Sequence, residues 1–170
     1  HVAGTIGAIR NNGVGVAGIC KSVRLMAVKV LSRSGMGSTS KLILSMKYAV
    51  ENGAQVVNLS LVTKEYSPIL QEVFQQAHAA GMVCVAAAGN SHDDALRFPA
   101  AYDKVIAVAA TDENDALASF SNFGLFIDPM TQELGISQTR LARGRRGCGH
   151  EEPELETNQT LDLVVRRWTI

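Results

Sequence analysis

Strand-length apolar runs alternate with longer segments of helical period along most of this chain, and few folds accept that alternation. Residues 23–31 (VRLMAVKVL), 55–61 (QVVNLSL), 82–88 (MVCVAAA) and 105–110 (VIAVAA) are apolar throughout rather than at every second position. Such runs suit strands buried on both faces, the condition of a parallel sheet sandwiched by helices. Between them, residues 40–52 place Leu42, Ile43, Met46 and Val50 at helical spacing ahead of an Asn52-Gly53 stop. Residues 67–80 open on Ser67-Pro68 and stop at Gly81, the polar cap, first-turn proline and terminal glycine of a second helix. The pattern predicts an α/β class: a three-layer arrangement of a mostly parallel sheet flanked by helices.

A chain of 170 residues, 46% of them hydrophobic, has enough apolar material for one domain with a real core. Sixteen basic residues balance sixteen acidic ones. No field of one sign is available to draw in nucleic acid or an anionic membrane surface, and no apolar run reaches the roughly 20 residues that cross a bilayer. Cys20, Cys84 and Cys148 are far apart and form no paired C-x-x-C spacing, so none is given a chemical role, and Cys20 and Cys84, which sit in apolar runs, are read as small buried thiols. The sequence opens at His1, inside a helix-like pattern over residues 1–10 and without a cap. This reads as a start cut from something longer, with any targeting segment upstream. After about Gly124 the α/β period stops: residues 141–150 are Gly and Arg rich, residues 151–156 are acidic, and residues 161–170 end the chain. A poorly ordered or weakly helical tail is expected there.

Two local motifs invite a chemical reading. Gly13, Gly15 and Gly18 fit the G-x-G-x-x-G spacing of a dinucleotide loop, but a helix precedes them and a strand follows, the reverse of what a pyrophosphate site needs. Residues 86–90 (AAAGN) end a predicted strand in three small residues, a glycine and an amide. Ligands of parallel α/β sheets gather beyond the carboxyl ends of the strands. Asn90 would sit there, either as a donor to a developing oxyanion or as an ordinary loop or cap asparagine.

Further blocks tie these pieces together. His1-Val2-Ala3-Gly4-Thr5, Ala27-Val28-Lys29-Val30-Leu31, Asn58-Leu59-Ser60-Leu61, Ala86-Ala87-Ala88-Gly89-Asn90, Phe98-Pro99-Ala100 and Ala118-Ser119-Phe120-Ser121-Asn122-Phe123-Gly124 occur in this order. In order and spacing they resemble the subtilisin-like serine proteases, the subtilases. The resemblance covers residues 1–124 as a partial catalytic domain, with a degraded continuation over residues 125–139 and an unrelated tail over residues 140–170. It implies a partial subtilisin-like fold, and it assigns roles. Asn90 resembles the oxyanion-hole donor. Ala87, Ala88 and Gly89 resemble one wall of the primary specificity pocket, with Ser60 on the facing wall. Gly35, Met36 and Gly37 resemble the segment that pairs with an extended peptide or protein substrate. Ile9, Asn12, Val14 and Val16 resemble part of a structural calcium loop, although calcium takes six to eight oxygens and the family draws others from a region this sequence does not include.

The departures carry as much weight as the matches. The family's general-base histidine lies just ahead of the position of His1, its aspartate lies further upstream, and no Gly-Thr-Ser-Met-Ala block follows Gly124. Val62-Thr63 stand where the family has paired glycines, and Thr131-Gln132-Glu133 stand where it has Ala-Pro-Gly. The acceptor patterns Asn58-Leu59-Ser60 and Asn158-Gln159-Thr160 would matter only in the secreted setting that the family implies, and the first falls on a buried strand. The expectation is a fragment of a serine endopeptidase without its Ser, His and Asp, and therefore inactive as it stands. The alternative is a non-catalytic peptide-binding module.

Overall fold

The computed structural model describes residues 1–127 and the backbone of residues 162–166. Helix α1 (Val2–Gly7) is followed by β1 (Arg24–Val28), α2 (Thr39–Glu51), β2 (Val56–Leu59), α3 (Pro68–Ala79), β3 (Val83–Ala87), β4 (Val105–Val108) and β5 (Asp162–Arg166). The caps behave as the sequence suggests. The Ser38 hydroxyl accepts from the Lys41 N–H at the start of α2, and the Ser67 hydroxyl accepts from Leu70 N–H at the start of α3, just ahead of Pro68. Gly53 and Gly81 follow the two helix ends with φ of +69° and +83°, a left-handed turn that a Cβ would strain.

The five strands form one sheet in the order β1-β5-β2-β3-β4. β2, β3 and β4 pair in parallel, with Val57 opposite Cys84 and Val85 opposite Ile106. β5 runs antiparallel to both its neighbours, so β1 points the same way as β2, β3 and β4 without touching them in the ladder. At residues 162–166 strand β5 stands where a loose or weakly helical tail was expected. Leu-Val-Val is strongly β-forming, and the gap between β1 and β2 offers it backbone partners on both edges. The rest of the tail, including Cys148 and Asn158, lies outside the described residues, as do most of residues 125–139.

The core lies on one face of the sheet. Leu42, Met46 and Ala49 of α2 and Leu70, Phe74 and Ala77 of α3 close over Val57, Leu59, Cys84, Ala86, Val105 and Ala107, all of them buried. The alternation along each strand is strict: Val56 and Asn58, Val85 and Ala87, and Ile106 and Val108 turn to the other face and are only half-buried. Helix α1 lies on that second face, since a Cβ on Gly7 would press on Leu25, whereas Met26 and Val28 of the same strand pack against the core. The layering is therefore three-deep, as expected, but unequal. Strand β1 is not the buried strand that its composition suggested: Leu25 is 39% exposed, because among the described residues only the short α1 faces it.

An aromatic group pins α3 to the end of the sheet. Phe98 and Tyr102 lie with ring centroids 4.7 Å apart, and Tyr102 stacks on Phe74 at 5.4 Å. The Ser67 N–H donates to the Tyr102 hydroxyl at 2.9 Å, which fixes the entry to α3. Burial raises the Tyr102 pKa above its ordinary value, the Ser67 N–H opposes that, and Tyr66 adds to it.

Phe74, fully buried, is the largest side chain at the centre of this packing. Replacing it by Ala is expected to cost about 3–5 kcal/mol, read as a fall in the midpoint of urea unfolding with an unchanged slope. A second check concerns pH. Burial pushes the Cys84 thiol from its ordinary 9.0 to about 11. The folded state thus favours the neutral thiol, and its contribution, on the order of 3 kcal/mol, is present below pH 9 and lost as pH rises through 11. Melting curves from pH 8 to 11 should decline more steeply for the wild type than for Cys84→Ala, and iodoacetamide should leave Cys84 unmodified at pH 8 unless the chain is unfolded.

Candidate functional site

At the carboxyl end of β3 the chain leaves the sheet through Ala88 and turns sharply at Gly89, whose φ is +109°. A Cβ on Gly89 would lie 2.7 Å from the Asn122 side-chain nitrogen, so glycine is required by both conformation and space. Asn122 is wholly buried and braces the turn from three sides. Its amide donates to the Ala88 carbonyl at 3.0 Å, its Oδ1 accepts from the Ser91 N–H at 2.7 Å, and its own backbone N–H donates to the Gly89 carbonyl at 3.0 Å. Beneath the turn lies Arg97, only 5% exposed, with a guanidinium nitrogen 2.5 Å from Asp93 Oδ2. Asn90, between Gly89 and Ser91, is exposed, and its side-chain amide is not engaged by the braces that hold its neighbours.

Asn90 stands at the rim of a concavity of about 310 Å³ lined by Asn58, Ser60, Val85, Ala86, Ala87, Ala88, Gly89, Val108, Ala109 and Ala110. The small residues at the ends of β3 and β4 make the hollow: no large side chain is present to fill it. The Ala88 N–H donates to the Val108 carbonyl at 2.9 Å, so the two walls are joined by the ladder itself. Ser60 forms the third side, its hydroxyl accepting from the Asn58 side-chain amide at 2.9 Å. Ser121 fixes the β4 end by accepting from the Ala110 N–H at 2.9 Å and donating to the Asn122 carbonyl at 3.0 Å.

The structure thus gathers Ser60, Ala87, Ala88, Gly89 and Asn90 around one hollow. Gly35, Met36 and Gly37 are not part of its lining. They form an exposed turn beyond the carboxyl end of β1, where the Ser32 N–H donates to the Met36 carbonyl and Gly35 takes φ of +73°. Thr63 exchanges two backbone hydrogen bonds with Phe98, at 2.7 and 2.9 Å. Its backbone is therefore committed within the chain rather than free to pair with a peptide.

The loop holding Ile9, Asn12, Val14 and Val16 folds back on α1, with Ile19 and Cys20 donating to Thr5 and Ile6. Gly18 packs against the backbone of Gly7 and Ala8 too closely for a Cβ. The Asn12 Oδ1 already accepts from the Val14 N–H at 3.1 Å, and no carboxylate lies in residues 8–19. Arg10 lies along the loop instead, donating to the Gly18 and Ile19 carbonyls. One amide oxygen and three carbonyls fall short of the six to eight oxygens calcium takes, and among the described residues no cluster of acidic, His or Cys side chains makes up the difference.

Asn122 and Ser121 are the residues that reading the sequence did not single out. They lie in the block over residues 118–124 that carried the resemblance, but Asn122 does its work more than 30 positions away in the chain, at Ala88 and Ser91, and Ser121 does its work at Ala110 and at the Asn122 carbonyl. A buried amide in a Ser-Asn pair was the available signal.

Known proteins resemble this chain in sequence and in fold. The sequence profile of the subtilase family matches residues 1–136. Subtilisin Savinase from Lederbergia lenta is 42% identical over 139 residues, which is 82% of this chain and 51% of that protein. A thermophilic serine proteinase from a Bacillus species is 41% identical over 82% of this chain and 35% of its own length. The chain thus spans about half or less of these relatives. Among solved structures, a psychrophilic subtilisin-like protease from an Antarctic Pseudoalteromonas superposes with a TM-score of 0.67 at 34% identity, over 75% of this chain and 30% of that one.

Removing the brace should be costly. Asn122→Ala leaves the Ala88 carbonyl and the Ser91 N–H without their partner, an expected loss of about 2–4 kcal/mol. Gly89→Ala should lose a similar amount. Because the new Cβ collides with the Asn122 amide itself, the double variant should cost less than the sum of the two, measured by urea unfolding of all four chains.

Proposed function

Because the chain belongs to the subtilase family, we propose that it is the pocket and oxyanion portion of a subtilisin-like serine endopeptidase domain and that alone it does not cleave peptides. The observation that carries this reading is the pairing of an unengaged Asn90 amide with the small-residue hollow beside it. In acyl transfer the attacked carbonyl oxygen gains negative charge, and a fixed amide at its side lowers the barrier. In subtilisin, removing one such donor costs about 3–4 kcal/mol. A substrate side chain would enter the hollow while its backbone runs toward Gly35, Met36 and Gly37, the edge that remains once Phe98 has taken Thr63.

What the reaction further requires is an activated hydroxyl: a serine within hydrogen-bond reach of a histidine that a third group orients. Four of the described serines are otherwise occupied. Ser60 accepts from Asn58, Ser121 bridges Ala110 and Asn122, and Ser38 and Ser67 cap helices. The imidazole of His92 packs edge-on to Phe123. An oxyanion donor without a nucleophile stabilises a charge that never develops.

Two lesser elements accompany this reading. The loop of Ile9, Asn12, Val14 and Val16 would be a partial structural calcium site, completed by oxygens from elsewhere. A secreted setting would match the family. Peptide-bound partners fit the balanced charge better than nucleic acid does. Among the described residues no helix is long and apolar enough to cross a membrane.

A serine-directed phosphonate probe and a chromogenic peptide amide test the proposal together. The purified chain should show neither stoichiometric labelling nor hydrolysis above the buffer rate. Labelling at one serine, with turnover abolished when that serine becomes Ala, would refute it. Saturable binding of an extended peptide, weakened by filling the hollow with Ala87→Leu, would instead favour the peptide-binding module.

A further inference from the structure

The sequence holds two Asn-Gly pairs, Asn12-Gly13 and Asn52-Gly53, and the fold treats them differently. Asn52-Gly53 closes α2, and its polar groups are tied down there: the Asn52 side-chain amide donates to the Tyr48 carbonyl at 2.9 Å, and the Gly53 N–H donates to the Val50 carbonyl at 3.0 Å. Asn12-Gly13 lies in the loop between α1 and β1, where residues 11–17 are all exposed. Gly13 takes φ of +71°, and a Cβ there would meet nothing within 4 Å. Among the described residues the Gly13 N–H has no hydrogen-bond acceptor. Every other asparagine precedes a residue with a side chain, which crowds the approach of the next backbone nitrogen.

We propose that Asn12 is a site of spontaneous covalent modification, where the side chain cyclises on the Gly13 nitrogen and is hydrolysed to aspartate and isoaspartate. The Gly13 nitrogen gives its proton to a solvent base and bonds to Asn12 Cγ. The Cγ–Nδ2 bond breaks and ammonia leaves, so a cyclic imide remains. Water then opens the ring. Cleavage between the nitrogen and Cγ gives aspartate in the ordinary backbone, whereas cleavage between the nitrogen and the main-chain carbonyl carbon of residue 12 gives isoaspartate, with the chain routed through the side chain. Neither an oxidant nor a catalytic serine takes part. The absence of a Cβ on Gly13 leaves the nitrogen an open path to Cγ. The Val14 N–H donates to Asn12 Oδ1 at 3.1 Å, the turn that a short amide makes with the backbone two residues on. Negative charge gathers on that same oxygen as the nitrogen adds, so a donor already stands where the tetrahedral intermediate needs one. Ring closure in an exposed loop uncovers no core, and the base of the loop stays tied to α1 through Gly18, Ile19 and Cys20, which donate to Ala8, Thr5 and Ile6. The product places a carboxylate in residues 8–19, which otherwise have none, and lowers the formal net charge from zero by one unit.

Ageing the full chain in mildly alkaline buffer, folded and in parallel in urea, tests this by peptide mapping and by enzymatic carboxyl methylation of isoaspartate. In urea Asn12 and Asn52 should convert at similar rates, because each then has only its following glycine to set the pace. In the folded chain Asn52 should slow several-fold or more, while Asn12 keeps most of its unfolded rate and yields both aspartate and isoaspartate. A more acidic species should accumulate in step on isoelectric focusing. In urea, where no fold can be lost, Gly13→Ala should slow Asn12 several-fold and leave Asn52 unchanged. The proposal is overturned if folding protects Asn12 as much as Asn52, or if another asparagine converts first in the folded chain. It is equally overturned if Gly13→Ala leaves the Asn12 rate unaltered.

Discussion

The turn that presents Asn90 is held by one buried side chain, and the candidate site depends on it. Asn122 donates to the carbonyl before the turn and accepts from the N–H after it, while its backbone ties down the turn's apex. A buried amide with both ends satisfied contributes more than the net value of its bonds, since the groups it serves would otherwise be desolvated and alone. The glycine at position 89 is the counterpart of this arrangement: it has no Cβ, and Asn122 fills the space where one would be. Arg97 and Asp93 support the same turn from below, an ion pair with its cationic partner almost fully buried. This packing fixes the backbone on both sides of Asn90.

The hollow follows from the choice of residues on two adjacent strands. Val85 and Ala87 of β3 and Val108 of β4 face the less covered side of the sheet, and the alanines that follow them keep it open. On the opposite side of those strands, Cys84, Ala86 and Ala107 are buried under α2 and α3. The sheet is therefore packed tightly where it is anchored and sparsely where a ligand would enter. The pairing of Thr63 with Phe98 is made backbone to backbone, and it commits that edge to the fold.

Much of this was legible in the sequence because it is local. Ser38 was not foreseen as the cap of α2, but Ser67, Pro68, Gly53 and Gly81 mark their helix ends by their own chemistry, and both helices fall within a residue or two of their expected bounds. Roles for the small residues 87–89 and for Asn90 were suggested only through resemblance, since a run of small residues ending in Gly-Asn is equally a plain loop. Asn122 was hidden because its partners are distant in sequence. Strand β5 was hidden for a related reason: Leu-Val-Val flanked by charges has no turn signals around it, and what makes it a strand is the vacancy between two others. The exposure of β1 escaped prediction because composition reports what a strand could bury, not what is there to cover it.

The placement of β5 has a consequence for synthesis on the ribosome. The ladder that joins β1 to everything else cannot form until the intervening chain has been translated, on the order of ten seconds at 5–20 residues per second. Throughout that interval α2, α3 and the strands β2, β3 and β4 can assemble, because their contacts are near in sequence, while β1 waits beside them with its inner edge open. Among the described strands β1 precedes the others in the chain, yet its ladder pairing waits for the one that comes last.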